Sequence, residues 1–280
     1  MKIIECPRDA MQGLQKFIST ESKISYINQL LKVGFDTVDF GSLVSAKAIP
    51  QMRDTARVLE SLDRKNSGSK LLAIVANLRG AQTAADIGNI DYLGFPLSLS
   101  ETFQLRNTNR TIDQALLTVG EIQNVCSTHQ MRLVTYLSMG FGNPYGDPYD
   151  PDLAGLFVER LVNLGIEIVS LADTIGVSDR ENITRLFKSL IPAYPQVEFG
   201  AHLHSHPDSA REKIETAYHA GCRRFDSALK GYGGCPMAHD RMVGNVATEV
   251  LIDCLENMGA DPAIDRQELE TALLMVPNVF

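Results

Sequence analysis

IEIVSLADTIGVSDRENITRLFKSLIPAYPQVEFGAHLHSHPD, residues 166–208, contains one complete unit of the fold. Residues 166–173 form a short apolar, β-branched run of strand length that ends on Asp173. Over 179–190 the period changes. Ile183, Leu186, Phe187 and Leu190 recur at i, i+3, i+4 and i+7, which is one face of a helix. VEFGAHLH (197–204) returns to a strand. A strand, a helix and a second strand in succession make a crossover, and the two strands then lie parallel.

The same alternation runs outward in both directions. Strand-like runs stand at 2–6, 37–41, 70–77, 89–95, 132–138 and 223–229, besides 166–173 and 197–204. Helical spacing appears at 21–34, where Ile24, Ile27, Leu30 and Leu31 share a face and Gly34 ends it, and at 50–62, 110–129, 151–164, 179–190 and 208–221. Eight such units in about 250 residues are the size of a (β/α)8 barrel. The fold expected is therefore an α/β (β/α)8 TIM barrel with a C-terminal helical extension, one catalytic domain over 1–280. A doubly wound open sheet is the runner-up. Its disadvantage is the first strand-to-helix turn, CPRDAMQG (6–13), which lacks the G-x-G-x-x-G of a dinucleotide site.

Composition narrows the class. The 280 residues are 44% hydrophobic and 21% charged, with a net charge of −8 and no basic run interleaved with aromatics. That speaks against nucleic acid and membrane surfaces as partners. No apolar run approaches the roughly 20 residues of a membrane span, and the N-terminus reads as strand rather than leader peptide. Five scattered cysteines without a C-x-x-C pair argue against a disulfide scaffold and fit a reducing cytoplasm.

In a barrel the chemistry sits at the carboxyl ends of the strands. After the first strand stand Arg8, Asp9 and Gln12, which on their own suit a structural ion pair as well as a site. At the end of the seventh, His202 and His204 are two apart, so both side chains face the inside of the barrel mouth. Two neighbouring imidazoles there point to a metal. His206 keeps the spacing, but Pro207 ends the strand and turns it away. A His pair with one Asp, and Asn245 as an added amide oxygen, suits Mg2+ or Mn2+, with Zn2+ as an alternative. After the eighth strand, GYGGCP (231–236) reads either as a turn with an incidental thiol or as a flap carrying Cys235. Asp39 and Asp173 close two further strands, Asp173 in a setting that suits loop-to-helix turning.

Six segments then occur in order: Pro7-Arg8-Asp9-x-x-Gln12, Ser42-x-Val44-Ser45-x-Lys47-x-x-Pro50-Gln51-Met52, Ser170-Leu171-x-Asp173-Thr174-Ile175-Gly176, His202-x-His204, Gly233-Gly234-Cys235-Pro236 and Gly244-Asn245-x-Ala247-Thr248-Glu249. Together they closely resemble the 3-hydroxy-3-methylglutaryl-CoA (HMG-CoA) lyase family of metal-dependent barrel enzymes, over residues 5 to about 255. The resemblance implies cleavage of HMG-CoA to acetyl-CoA and acetoacetate with a divalent cation, a reaction that leucine breakdown uses. It implies Asp9, His202, His204 and Asn245 as metal ligands, Arg8 facing the thioester oxygen, and Cys235 as the acid on a flap. Glu249 and Asp39 become supporting carboxylates, and Gln12, Ser42 and Asn107 lie on the substrate side. Which group takes the hydroxyl proton stays open between a water on the cation, His202 and Asp9. A homodimer is expected by analogy with the family.

The chain also departs from the family pattern. Asp39 replaces a Glu and reaches one methylene less; Ala10-Met11 replaces Gly-Leu; Ser205-His206-Pro207 stands where relatives have Asp-Thr. One additional residue separates Cys235 from Asn245. Two rival readings follow: a Claisen-type condensing enzyme, whose relatives lack the Gly-Gly-Cys-Pro segment, and a barrel that has lost catalysis and only binds.

Overall fold

Eight parallel strands pair in chain order, and the ring closes through the β1–β8 pair. They are β1 (Lys2–Glu5), β2 (Thr37–Ser42), β3 (Lys70–Ile74), β4 (Tyr92–Ser98), β5 (Arg132–Ser138), β6 (Ile168–Asp173), β7 (Glu198–Ser205) and β8 (Arg224–Ser227). A two-residue strand, β9 (Gly244–Asn245), lies antiparallel on β7 with Asn245 opposite His204. The computed structural model describes residues 1–234 and 243–280.

Around the ring lie α1 (Pro7–Gln12), α2 (Thr20–Val33), α3 (Thr55–Glu60), α4 (Leu78–Ile87), α5 (Glu101–Thr108), α6 (Ile112–Thr128), α7 (Pro151–Asn163), α8 (Arg180–Ala193), α9 (Pro207–His219), α10 (Thr248–Asn257) and α11 (Arg266–Val279). The barrel expectation holds, and each strand found overlaps the run read for it. Apart from the C-terminal extension, four helices carry no counterpart among the helical runs of the sequence: α1, α4, α5 and α10. The helical run at 50–62 divides into a 3-10 turn at Pro50–Met52 and α3. The C-terminal extension is α11, which packs on α2 through Gln29 donating to Glu268 and through Tyr26 edge-on to Phe280.

Parallel strands covered by helices on the outside should be near-continuously apolar, and the burial of β2, β5 and β6 follows that rule. The main core lies between strands and helices, from Ile3 and Leu30 round to Leu251. Inside the barrel a smaller apolar group, including Leu72, Ile74, Tyr92, Val134 and Ile168, fills the lumen. Helix starts are set by local chemistry: Asn77 caps α4, Ser100 caps α5, and Thr111 with Gln114 forms a capping box on α6.

Two local features aim side chains at the mouth. Register in β2 shifts between Asp39 and Gly41, a bulge at the barrel rim of the kind that redirects a side chain. At Gly233, with φ of +102°, a Cβ would come within 2.5 Å of the Asn245 amide nitrogen and 3.1 Å of the Asp9 carbonyl oxygen. Only glycine lets that loop approach so closely. No helix among the described residues is long and apolar enough to cross a membrane.

Candidate active site

Pro7 at the first position of α1 starts a helical turn directly after β1, so Arg8, Asp9 and Gln12 share one face at the barrel mouth. Arg8 is almost wholly buried and heavily bonded. Its Nε lies 3.0 Å from Asp39 Oδ2 and its Nη2 lies 2.5 Å from the same oxygen. Its Nη1 donates to Asp9 Oδ1 at 3.0 Å and to Gln12 Oε1 at 2.9 Å. A guanidinium has five N–H bonds, so these contacts leave one hydrogen on Nη2.

Burial pushes the Asp39 carboxyl up to about 6, against the pull of Arg8. The group is still ionised at neutral pH. Burial also works against the Arg8 charge, but Asp39 and Asp9 outweigh it and hold the guanidinium above its ordinary value. For Asp9 burial would raise the pKa; Arg8 and the two histidines overcome it, and the carboxyl lies below its usual range.

Across the mouth, β7 presents His202 and His204 with ring centres 5.2 Å apart. His204 Nδ1 lies 3.0 Å from the Thr174 carbonyl, and His202 Nδ1 lies 3.0 Å from Asp226 Oδ2. Ligand atoms of Asp9, His202 and His204 all fall within 4.8 Å of one another. Asn245 joins them through the β7–β9 pairing. Its Nδ2 donates to Asp9 Oδ2 at 2.7 Å and to the Tyr232 carbonyl at 3.0 Å. Two acceptors on the nitrogen fix the amide orientation and leave Oδ1 buried without a partner among the described residues, as is His204 Nε2.

Buried polar atoms are normally paired. Two orphaned acceptor atoms of the types that ligate cations, beside an ionised carboxylate, are the arrangement a divalent ion would complete. Burial lowers the His204 ring to about 4, helped by the neighbouring His202, so it is neutral and fit to ligate. Burial acts likewise on His202, but the Asp226 hydrogen bond and charge win and raise it.

A cavity of about 420 Å³ opens onto these groups. Arg8, Asp9, Gln12, His202, His204 and Asn107 all line it, with Val44, Ile49, Pro96 and Phe103 forming apolar wall. The other expected site residues lie elsewhere. Ser42 is buried, its hydroxyl donating to the Ile74 carbonyl and accepting from the Val44 amide. Glu249, in the first turn of α10, accepts from the Lys230 amide at 3.1 Å and pairs with its ammonium at 3.5 Å, so it tethers the loop after β8. His206 is exposed at the start of α9 and borders a different cavity with Lys230 and Tyr232. Cys235 lies outside the described residues. Asp173 does turn chemistry: it accepts from the amides of Val177 and Ser178 and from Lys213 at 2.9 Å.

Asp226 is the site residue that the sequence reading passed over. Parity was its signal, since Arg224 and Asp226 are two apart in β8 and both are buried charged residues. Lys213 was also missed; its ammonium donates to the His204 carbonyl at 3.0 Å and pins α9 to the end of β7.

A (β/α)8 barrel carrying two imidazoles, an ionised carboxylate and a nearly saturated guanidinium at its mouth has the build of a barrel enzyme with its chemistry at the carboxyl ends of the strands. Comparison with known proteins gives the family. The HMGL-like family model matches residues 2–276, and the chain belongs to that family. It is 32% identical to hydroxymethylglutaryl-CoA lyase YngG of Bacillus subtilis over 95% of this chain and 88% of that one. Against the 3-hydroxy-3-isohexenylglutaryl-CoA/hydroxy-methylglutaryl-CoA lyase of Pseudomonas aeruginosa the identity is 31%, with the same coverage of 95% and 88%. Among solved structures, an HMG-CoA lyase from Acinetobacter baumannii in complex with coenzyme A and 3-methylmalate superposes with a TM-score of 0.91. That likeness is at 30% identity and covers 100% of this chain and 90% of that one.

Proposed function

We propose that this protein cleaves 3-hydroxy-3-methylglutaryl-CoA to acetyl-CoA and acetoacetate with the help of a divalent cation, Mg2+ or Mn2+. The observation that carries the reading is the convergence of Asp9, His202, His204 and Arg8 around one cavity, with Asn245 bonded to Asp9 beside it and with His204 Nε2 and Asn245 Oδ1 lacking partners among the described residues. Asp9, His202, His204 and Asn245 would hold the cation. When bound, a divalent cation lowers the pKa of a hydroxyl oxygen and stabilises its charge.

The chain's own groups supply the remaining chemistry. The bond between C2 and C3 breaks, and its electron pair passes into the thioester enolate of acetyl-CoA. Arg8 meets that developing oxygen charge with its remaining Nη2 hydrogen. Asp39 holds the guanidinium in place from behind, so little reorganisation is needed as charge develops. The tertiary hydroxyl gives up one proton, and the enolate carbon takes one. We assign the second transfer to the Cys235 thiol. Gln12 and Asn107 contact the acyl portion from the cavity wall. The apolar side formed by Val44, Ile49 and Phe103 excludes water from the carbanion. We further propose that residues 1–280 act as a single catalytic domain, that the protein is a homodimer, and that it works in a reducing cytoplasm. Buried, unpaired Cys6, Cys126, Cys222 and Cys254 are in keeping with that compartment.

The test is acetoacetate release from 3-hydroxy-3-methylglutaryl-CoA by the purified protein, after chelation and again after adding Mg2+ or Mn2+. Product that vanishes with chelation and returns with metal is expected. No product with metal present would overturn the assignment.

A further inference from the structure

We infer that Asp226 is a positioning residue, one that holds the His202 ring with Nδ1 protonated and Nε2 turned to the cation. This rests on the metal reading of the site given above. The pairing of β7 with β8 sets His202 directly beside Asp226. The side chain of Asp226 is wholly shielded, its Oδ2 is 3.0 Å from His202 Nδ1, and its Oδ1 has no partner among the described residues. The carboxylate therefore has no other hydrogen-bonded task among the described residues.

The neighbouring histidine shows what the arrangement does. His204 Nδ1 faces the Thr174 carbonyl. A carbonyl can only accept, so that ring carries its proton on Nδ1 and leaves Nε2 bare. The Asp226 carboxylate gives His202 the same tautomer, and the two rings offer like atoms to one point. The two supports differ in charge. A carboxylate partner makes the imidazole a stronger donor than a neutral carbonyl does, and such partners change metal affinity by about 10- to 100-fold. Cys6 offers a competing arrangement, because its sulfur, His202 and Asp226 also present ligand atoms within 4.8 Å of one another. An ion held there would use Asp226 as a ligand instead.

The test uses the metal-free full chain and three readouts. Mn2+ affinity is measured by calorimetry for wild type and Asp226→Asn, with thermal melts of both metal-free proteins. Expected is Mn2+ binding about 10- to 100-fold weaker in Asp226→Asn with a closely similar melt; equal affinity would overturn the proposal. The second readout does not depend on Asp226→Asn: 15N NMR of the wild-type histidines in mildly alkaline buffer, with His202 assigned by difference from His202→Asn. A proton on Nδ1 supports the assignment, and one on Nε2 overturns it. If the wild type bound no Mn2+, the cation reading would fall, and the tautomer would still decide the role of Asp226. Third, Co2+ is added to the wild type. A thiolate-to-cobalt charge-transfer band would place the ion with Cys6 and overturn the positioning role; spectra without that band support it.

Discussion

Each end of the barrel buries an arginine, and the two are used in opposite ways. At the mouth, four of the five Arg8 N–H bonds are fixed by Asp39, Asp9 and Gln12, and the group lines the cavity. At the amino end, Arg224 is 1% exposed. Its Nη1 lies 3.1 Å from Glu198, which is also bound by Lys2, while Nε and Nη2 have no partner among the described residues. Arg8 is held with one hydrogen left over at the cavity, the hydrogen proposed above to meet the substrate. Arg224 ties the starts of β8, β7 and β1 together and meets nothing from outside. The charge is the same, but the geometry of its partners makes one a tool and the other a rivet.

An identical substitution at both ends separates these roles. Arg8→Lys keeps the charge and loses the planar fork that binds Asp39 through two nitrogens. Turnover of 3-hydroxy-3-methylglutaryl-CoA is expected to fall by about 10²- to 10³-fold, the scale for losing one oxyanion-stabilising donor. The denaturant midpoint should fall as well, because the buried Asp39 carboxylate loses its two-nitrogen clamp; the kcat loss is what sets this variant apart. Steady-state kinetics beside urea unfolding reads both quantities, and near-normal kcat would remove Arg8 from the reaction.

Arg224→Lys should lower stability and leave turnover alone. The ammonium does not fill the space of the guanidinium, and the one buried charged hydrogen bond of this side chain, to Glu198, is lengthened or lost. A loss of about 1–3 kcal/mol in unfolding free energy is expected, with kcat and metal dependence unchanged. A fall in kcat as large as that of Arg8→Lys would show that the floor of the barrel is coupled to its mouth, and the comparison would fail.

What the sequence disclosed divides along similar lines. Strands were legible because each is a short apolar run, and α2, α6 and α8 because large side chains repeat at the helical period. Helix α4 was not, since the residues it buries are Gly80, Ala81 and Ala84, too small to mark a periodicity. Helix α1 escaped for another reason: its buried face carries Arg8 and Asp9, charged residues that read as a loop. Within the site, His202 and His204 were visible because both imidazoles lie on one strand at spacing two. Asp226 depends on which residues of two separate strands lie side by side, and that register is fixed only when the barrel closes. The short β9 is similar: two residues brought to β7 from 40 positions away deliver Asn245, and no local pattern announces them.

Glu5 extends the comparison to a carboxyl that belongs to neither task. It ends β1 under the mouth and accepts the Leu229 amide at 2.9 Å and the Thr248 hydroxyl at 2.5 Å. Burial pushes its pKa up to about 8. Because the folded value exceeds the unfolded one of about 4.5, the native state binds more protons than the unfolded state between those limits. The contribution of Glu5 to stability is then fullest below the unfolded value and is lost as pH rises towards about 8. Glu5→Gln keeps the shape and removes the titration. Its unfolding free energy should therefore decline less steeply than that of the wild type across this window, by at most about 1.4 kcal/mol per pH unit. Urea unfolding of both proteins at a series of pH values measures the difference directly. Parallel pH curves would mean that Glu5 titrates as an ordinary carboxyl and that the sealed layer beneath the mouth admits solvent.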